Sequence, residues 1–363
     1  MGILYLTDFF YPNKWWIELL LWYLVNYFSQ KNEVFVITWK YDETLPEVEK
    51  IWQTIIYRIK AKNLYDFYFK AYFFSKKLIS ENKIDIIHSH SYFTHILAAK
   101  LWKKYKIKVF AHIHWMFWKL WDYIVDWKFL FLKSLKFQTL EKIVSKLNVN
   151  FICVSKYVYD VLKVVYGVDD RKLNLVYNGL DIDEFKSNLN EKKILEIRKK
   201  IAPNNEFIYL FYWRQEKVKN LDFLIKVFLK LNIKAKLVLL LTNFWGKSIS
   251  KLNYENIEIF EWLSHKDIPN WIKAANVVVF PSIVESFGYV GLEASLLNTP
   301  IVASDMWAIP EVVFWKVNFF NPFDEESLKE ALLKSYNQQY EEIPYKNFDI
   351  KTTITKIEKL YWL

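Results

Sequence analysis

Residues 280–291 read FPSIVESFGYVG, and Leu292 and Glu293 follow. The stretch opens on the end of a continuous apolar run, Val277–Phe280, which Pro281 breaks. That pattern predicts a buried strand running into a short polar loop, with a helix starting at about Tyr289. Glu285 and Glu293 have seven residues between them, Gly288 included. A helix start leaves several backbone N–H groups without intrahelical partners, and such an end binds an anion, typically a phosphate. A carboxylate flanking it is suited to sugar or ribose hydroxyls. Read alone, the segment is equally a strand–loop–helix joint carrying two solvated acids.

The same alternation runs through the whole chain. Apolar runs at 3–7, 34–38, 84–88, 108–112, 151–154 and 173–177 predict one set of strands. A second set is predicted at 207–211, 237–241, 257–260, 277–280 and 301–303. Between the first two runs, Ile17, Leu20, Leu21, Leu24, Val25 and Phe28 keep the spacing of an amphipathic helix. Near-continuous apolar strands alternating with helices imply parallel sheets covered by helices, an α/β class. A length of 363 residues favours two such domains. Charge concentrates between Asp181 and Lys200, the expected linker. Two doubly wound units facing each other would bring their ligand crevices to a shared cleft.

Several segments in order resemble the retaining GT-B glycosyltransferases that use nucleotide-sugar donors, the glycosyl transferases group 1 family (family 4-like). Residues 280–293 resemble its E-x7-E signature, and ILYLTDFFYPNKWWIE (3–18) its first strand and glycine loop. LVYNGLDIDEF (175–185) resembles its P-N-G-[IV]-D segment, with Tyr177 at the proline. FYWRQEKVKNLDFLIKVF (211–228) resembles its G-R-x-x-x-x-K-G donor loop, and TPIVASDMWAIPEVV (299–313) the stretch after the E-x7-E helix. The resemblance implies GT-B architecture. Residues 1–183 would form an acceptor-side Rossmann-like domain and 184–345 a nucleotide-sugar-binding one. Residues 346–363 would be a terminal helix returning to the first domain.

Transfer from a nucleoside diphosphate sugar builds negative charge on the leaving oxygen, which cations and oriented N–H groups stabilise in a dry site. By resemblance, Arg214 and Lys219 grip the diphosphate, and Phe287 and Gly288 offer N–H groups. Glu293 bonds the ribose hydroxyls, and Glu285 faces the transferred sugar. Glu285 is not assigned as a nucleophile: two close carboxylates would be needed, and loop-plus-helix placement does not establish them. The family is described as reacting on one face, the leaving phosphate assisting the incoming hydroxyl. His114 matches the family's histidine near the sugar, although a histidine ending a strand is often just half-buried. His88 and His90 could line the acceptor side; His95, His112 and His265 carry no signal. No spacing marks a metal site, and the resemblance implies no cofactor beyond the donor.

The departure from the family is systematic. Trp15 and Trp16 stand where its first loop has Gly-Gly, and Trp213 where its donor loop opens with Gly. Trp39, Trp262, Trp307 and Trp315 also fall on its glycine turns. Glycine serves there for positive φ and close approach of backbone to phosphate, and an indole supplies neither. Ordinary usage predicts about 25 glycines in this length; the chain has 6, with 17 tryptophans. Adding the tryptophans restores nearly the ordinary number. The expectation is that many of them are UGA codons decoded as glycine in the natural host. The rival is a genuinely Trp-rich protein with a remodelled donor loop. Trp271, within a helical pattern, reads as a true aromatic.

A net charge of +10 (50 Lys+Arg against 40 Asp+Glu) favours phosphate-bearing small molecules or anionic lipid. Nucleic acid ranks last, since no zinc spacing, helix-turn-helix or RNA-recognition signature is present. Residues 118–146 mix Lys with aromatics at roughly helical spacing, as a membrane-resting face or an ordinary packed helix would. The single Cys153 rules out an intrachain disulfide. With no signal peptide and no apolar run of about 20 residues, the expectation is a cytoplasmic chain, peripheral at the membrane's inner face if it docks there. The expected partners are a nucleotide sugar and a hydroxyl acceptor, a glycan or lipid-linked sugar. A GT-B epimerase and a non-catalytic membrane-docking relative remain open alternatives.

Overall fold

The computed structural model describes residues 1–12, 16–114, 116, 138–214, 216–242, 254–261 and 264–362, with only the backbone at 16, 214, 242 and 261. They form two units, one running to Gly179 and completed by a helix from Ile350 to Trp362, the other spanning Leu180–Asp349.

The first unit holds β1 (Gly2–Leu6), β2 (Glu33–Trp39), β3 (Val48–Ile51), β4 (Thr54–Ile59), β5 (Ile86–Ser89), β6 (Lys108–Ile113), β7 (Asn150–Cys153) and β8 (Leu173–Leu175). Their order is β3-β4-β2-β1-β5-β6-β7-β8, and all neighbours are parallel except the β3–β4 hairpin. Helices α1 (Trp16–Ser29), α2 (Leu64–Glu81) and α3 (Tyr92–Tyr105) belong to the same unit. Leu20, Leu21, Leu24, Val25 and Phe28 of α1 are all buried, the stripe their spacing dictates. Ile350, Ile354, Ile357 and Tyr361 of the terminal helix join that core. The helix comes so close that a Cβ at Gly179 would lie 2.7 Å from the Ile350 Cα and 2.6 Å from the Thr353 Oγ1. This approach explains the glycine of the Asn-Gly pair. It also puts the end of the first unit at Gly179, just ahead of the expected 183/184 boundary, while the Leu180 N–H bonds the Phe348 carbonyl at 3.0 Å in the second unit.

The second unit holds β9 (Phe207–Arg214), β10 (Ala235–Thr242), β11 (Ile257–Glu261), β12 (Val277–Phe280), β13 (Ile301–Ser304), β14 (Trp315–Phe320) and β15 (Glu341–Ile343). The order is β11-β10-β9-β12-β13-β14-β15, parallel except for the last pair. Helices α4 (Leu221–Phe228), α5 (Tyr289–Leu296) and α6 (Glu325–Tyr336) complete the part that matters here. Every residue of α5 is buried, so it shows no polar face and its sequence carries no helical stripe. Each of the eleven expected strands is present. Strands β3, β4, β14 and β15 were not anticipated, being short, partly polar or at an edge. In both sheets the order reverses between two central neighbours, β1/β5 and β9/β12, and such switch points are where doubly wound sheets bind ligands.

No helix among the described residues is long and apolar enough to cross a membrane.

Candidate functional site

At the β9/β12 switch point, two loops meet. β9 ends at Arg214, and a 3-10 turn at Lys217–Lys219 leads to Asn220, whose φ of 57° is left-handed. Asparagine tolerates that backbone where the resembling family has glycine. β12 ends at Phe280, and the Ile283 N–H bonds the Val218 carbonyl at 2.8 Å, tying the loops together. Across this junction the Lys219 Nζ lies 2.5 Å from the Glu285 Oε1, with side chains only 7% and 15% exposed. An ion pair this dry holds its geometry, because removing one member strands a charge away from water. The Trp213 indole lies beside it, its ring centroid 4.9 Å from the same Nζ, a cation–π contact. The tryptophan at the glycine position therefore covers the cation that the sequence assigns to phosphate.

Gly288 caps α5 with φ of 99°, and a Cβ there would press the Phe280 ring at 3.2 Å. Both facts require glycine at this helix entrance. One turn on, Glu293 is fully buried. Its Oε2 accepts from the Tyr212 hydroxyl at 2.8 Å, and its Oε1 lies 3.2 Å from the His265 Nε2. Burial pushes the Glu293 carboxyl above its ordinary range, the two hydrogen-bonding neighbours pulling back. The structure thus joins Lys219 to Glu285 and places Glu293 on the helix that follows. It gives Glu293 two partners, Tyr212 and His265, that the sequence reading passed over. Tyr212 reads as one more large residue of a buried strand, and His265 stands alone before a helix. The Arg214 side chain, Trp15 and the Trp16 side chain lie outside the described residues, as do Trp262 and residues 118–137 of the lysine- and aromatic-rich segment.

Elsewhere, His114 follows β6 in the first unit. It is buried, its Nε2 is 3.0 Å from the His90 Nδ1, and burial holds its imidazole down at about 3, hence neutral. His88, His90 and His112 gather around it, although no sequence spacing marked a cluster.

Backbone angles bear on the tryptophans. Trp52, Trp307 and Trp315 have φ of 53°, 59° and 77°. Positive φ is a true outlier for a bulky residue. Trp307 and Trp315 are among the positions assigned to family glycines; Trp39, inside β2, has no such angle. Trp271 packs on the Phe260 ring at 4.9 Å, as a real aromatic does.

Two Rossmann-like units, each a parallel-dominated sheet with a switch point, are the GT-B α/β fold. Over its whole length the chain superposes on sucrose-phosphate synthase from Thermosynechococcus elongatus with a TM-score of 0.76 at 16% identity, covering 98% of that chain. The Anabaena protein HepE, in complex with UDP and glucose, superposes with a TM-score of 0.73 at 17% identity, both chains covered in full. Residues 17–184 match the Glycosyltransferase Family 4 profile and residues 193–349 that of Glycosyl transferases group 1. The chain belongs to the group 1 glycosyltransferase family. Among its relatives, an uncharacterized 41.2 kDa protein in the cps region of Klebsiella pneumoniae is 27% identical over 65% of this chain. That match spans 64% of the relative's own length. An uncharacterized glycosyltransferase of Methanocaldococcus jannaschii is 27% identical over 79% of this chain and 75% of its own. A UDP-Gal:alpha-D-GlcNAc-diphosphoundecaprenol alpha-1,3-galactosyltransferase of Escherichia coli is 25% identical over 78% and 77%.

Proposed function

We propose that this chain moves a hexose from a nucleoside-diphosphate sugar to an acceptor hydroxyl, with retention at the anomeric carbon, in the synthesis of a cell-envelope glycan or glycolipid. The observation that carries the reading is the Lys219–Glu285 pair at the β9/β12 switch point, one short loop ahead of the Gly288-capped helix. The donor's diphosphate takes the Lys219 ammonium together with the Arg214 guanidinium and the N–H groups at Phe287 and Gly288. Charge that develops on the leaving phosphate then falls on the Lys219 ammonium, as its hold on Glu285 loosens, and on the oriented N–H groups. Glu285, released from part of its pairing, accepts from the transferred sugar's hydroxyls. Engaged with Lys219 in this way, it is a poor nucleophile, and the leaving phosphate assists the incoming hydroxyl on the same face.

Glu293 binds the ribose. Its carboxylate is fully covered, whereas the His265 side chain beside it is 28% exposed, so the ribose hydroxyls enter by replacing His265 at Oε1. His114, a neutral imidazole, would meet a sugar hydroxyl by hydrogen bonding rather than by charge. The Escherichia coli relative, whose name describes a lipid-diphosphate-linked acceptor, supports an acceptor of that type; an anionic membrane surface would then lie close by.

The test is calorimetric titration of UDP and a panel of nucleotide sugars into the chain carrying glycine at Trp15, Trp16 and Trp213. Binding that Glu293→Ala weakens at least tenfold supports the reading; absence of nucleotide binding refutes it. Donor isomerised without added acceptor would mark an epimerase instead, and liposome binding without donor binding a docking relative.

A further inference from the structure

Strands β5 and β6 are parallel neighbours with Ser89 opposite Ala111. Side chains two residues apart share a face, so His88 and His90 rise beside His112 and His114. Ring centroids are 4.5 Å apart within the first pair, 4.3 Å within the second, and 5.2 Å between His88 and His112. All are buried. The His88 Nε2 lies 3.2 Å from the His112 Nδ1. The His90 Nε2, His112 Nε2 and His114 Nδ1 have no hydrogen-bond partner among the described residues. Buried polar atoms are normally satisfied, and several orphans in one place call for an occupant.

We propose that His88, His90 and His112 form a binding site for a borderline-soft divalent cation, zinc or a chemical equivalent, which fastens β5 to β6. One ring nitrogen from each lies within 4.8 Å of the other two. A metal–nitrogen bond of about 2.0–2.1 Å separates ligand nitrogens by roughly 3.3 Å, close to the 3.2 Å already found between His88 and His112. A small ring movement brings in His90. An all-imidazole set, without carboxylate or thiolate, favours zinc, cobalt, nickel or copper over magnesium or calcium.

The outer partners are also in place. The Tyr361 hydroxyl is 2.5 Å from the His88 Nδ1, and the Tyr5 hydroxyl is 3.2 Å from that of Tyr361. With Nδ1–H donated to Tyr361, His88 presents Nε2 as its ligand atom. Such partners orient a ligating histidine and typically carry 10–100-fold of the affinity. The ion would thereby join two strand ends to the terminal helix within one unit. The site uses no residue of the proposed donor pocket and stands whether or not that reading holds.

Chelator-treated protein titrated with cobalt(II) chloride tests this. One equivalent bound at micromolar concentration, with the visible ligand-field bands of a low-coordinate nitrogen site, is the expected result. Tyr361→Phe should weaken binding 10–100-fold, His112→Asn and His90→Asn should abolish it, and His265→Asn in the other unit should leave it unchanged. Should the histidine variants not fold, X-ray absorption on the unaltered cobalt-loaded protein decides by counting imidazole ligands. No bound equivalent, bands that survive both histidine substitutions, or fewer than two imidazoles around the metal would each overturn the site.

Discussion

Replacing Trp52 and Trp315 with glycine should stabilise this protein, the opposite of what removing a large aromatic normally does. Trp52 is the first residue of the two-residue connection between β3 and β4, with φ of 53°, while Gln53 has no positive φ. A two-residue hairpin loop with positive φ at its first position alone is the type that demands glycine there. Trp315 opens β14 with φ of 77°. A left-handed backbone costs an L-residue about 1–2 kcal/mol, and glycine's looser unfolded state returns roughly 0.5–1 kcal/mol of that. The indoles are 62% and 41% exposed, and Trp52 meets the Trp22 ring at 5.6 Å, so what they bury offsets part of this gain. The net gain is therefore about 0.5–1 kcal/mol at each site, or about 1–4 °C in the midpoint of a unit of 150–250 residues. The two sites lie in different units, so calorimetry should show Trp52→Gly raising one transition and Trp315→Gly the other. Trp271→Gly is the control, and it should lose stability because it strips a ring from Phe260 and puts glycine inside a helix. A neutral or lower midpoint at both Trp52 and Trp315 would refute the reasoning. Sequencing the gene provides an independent check: UGA at these codons and at 15, 16, 213 and 307 means that the natural chain carries glycine there, and UGG ends the idea.

Lys219→Ala leaves Glu285 nearly buried without its partner. It should cost roughly 2 kcal/mol in urea unfolding, below the 3–5 kcal/mol of a fully buried pair, and adding Glu285→Ala should recover most of the loss; a larger loss in the double variant would contradict the pairing. Gly288→Ala meets φ of 99° and the Phe280 ring together, so a loss of about 1–2 kcal/mol is expected, and an unchanged midpoint would show that the helix entrance relaxes freely. Acid should unfold the metal-free first unit early. Burial holds His88, His90, His95, His112 and His114 below their ordinary range, His95 and His114 at about 3. These imidazoles stay neutral in the fold but gain protons in the unfolded chain below about 6.5, so their stabilisation is complete above that pH and is lost as pH falls, each by at most about 1.4 kcal/mol per pH unit. Asp8, raised by burial to about 6, opposes this with one group whose contribution fades as pH rises. A urea midpoint that does not drop between pH 7.5 and 5.5 would refute the assignment.

The strands were legible because buried parallel strands are unbroken apolar runs, and Val277–Phe280 or Leu237–Leu241 are short enough for length to favour a strand over a helix. Edge strands escaped: VEKI at β3 and EEI at β15 have polar residues at half or more of their positions, since one flank of each meets no other strand among the described residues. At the candidate site the limits were of another kind. Lys219 and Glu285 were each found from motif order, but the ion pair between them depends on β9 lying directly beside β12, a neighbour relation made by strands far apart in sequence. Tyr212 and His265 were missed because neither has a local signature, and only the fold turns both toward Glu293.

The histidines show how a local pattern falls one step short. HSH (88–90) and HIH (112–114) each close a predicted strand, and spacing by two already puts both members of each pair on one face. What local sequence withholds is that these strands are adjacent and in matching register. Either pair alone is two ordinary half-buried imidazoles. Stacked across β5 and β6, they become a dry group whose free nitrogens converge, and sliding one strand by a single residue would send its pair to the other face of the sheet. The cation site is thus a property of sheet register, which is why substitution of His112 alone, with the strand order intact, is the decisive perturbation.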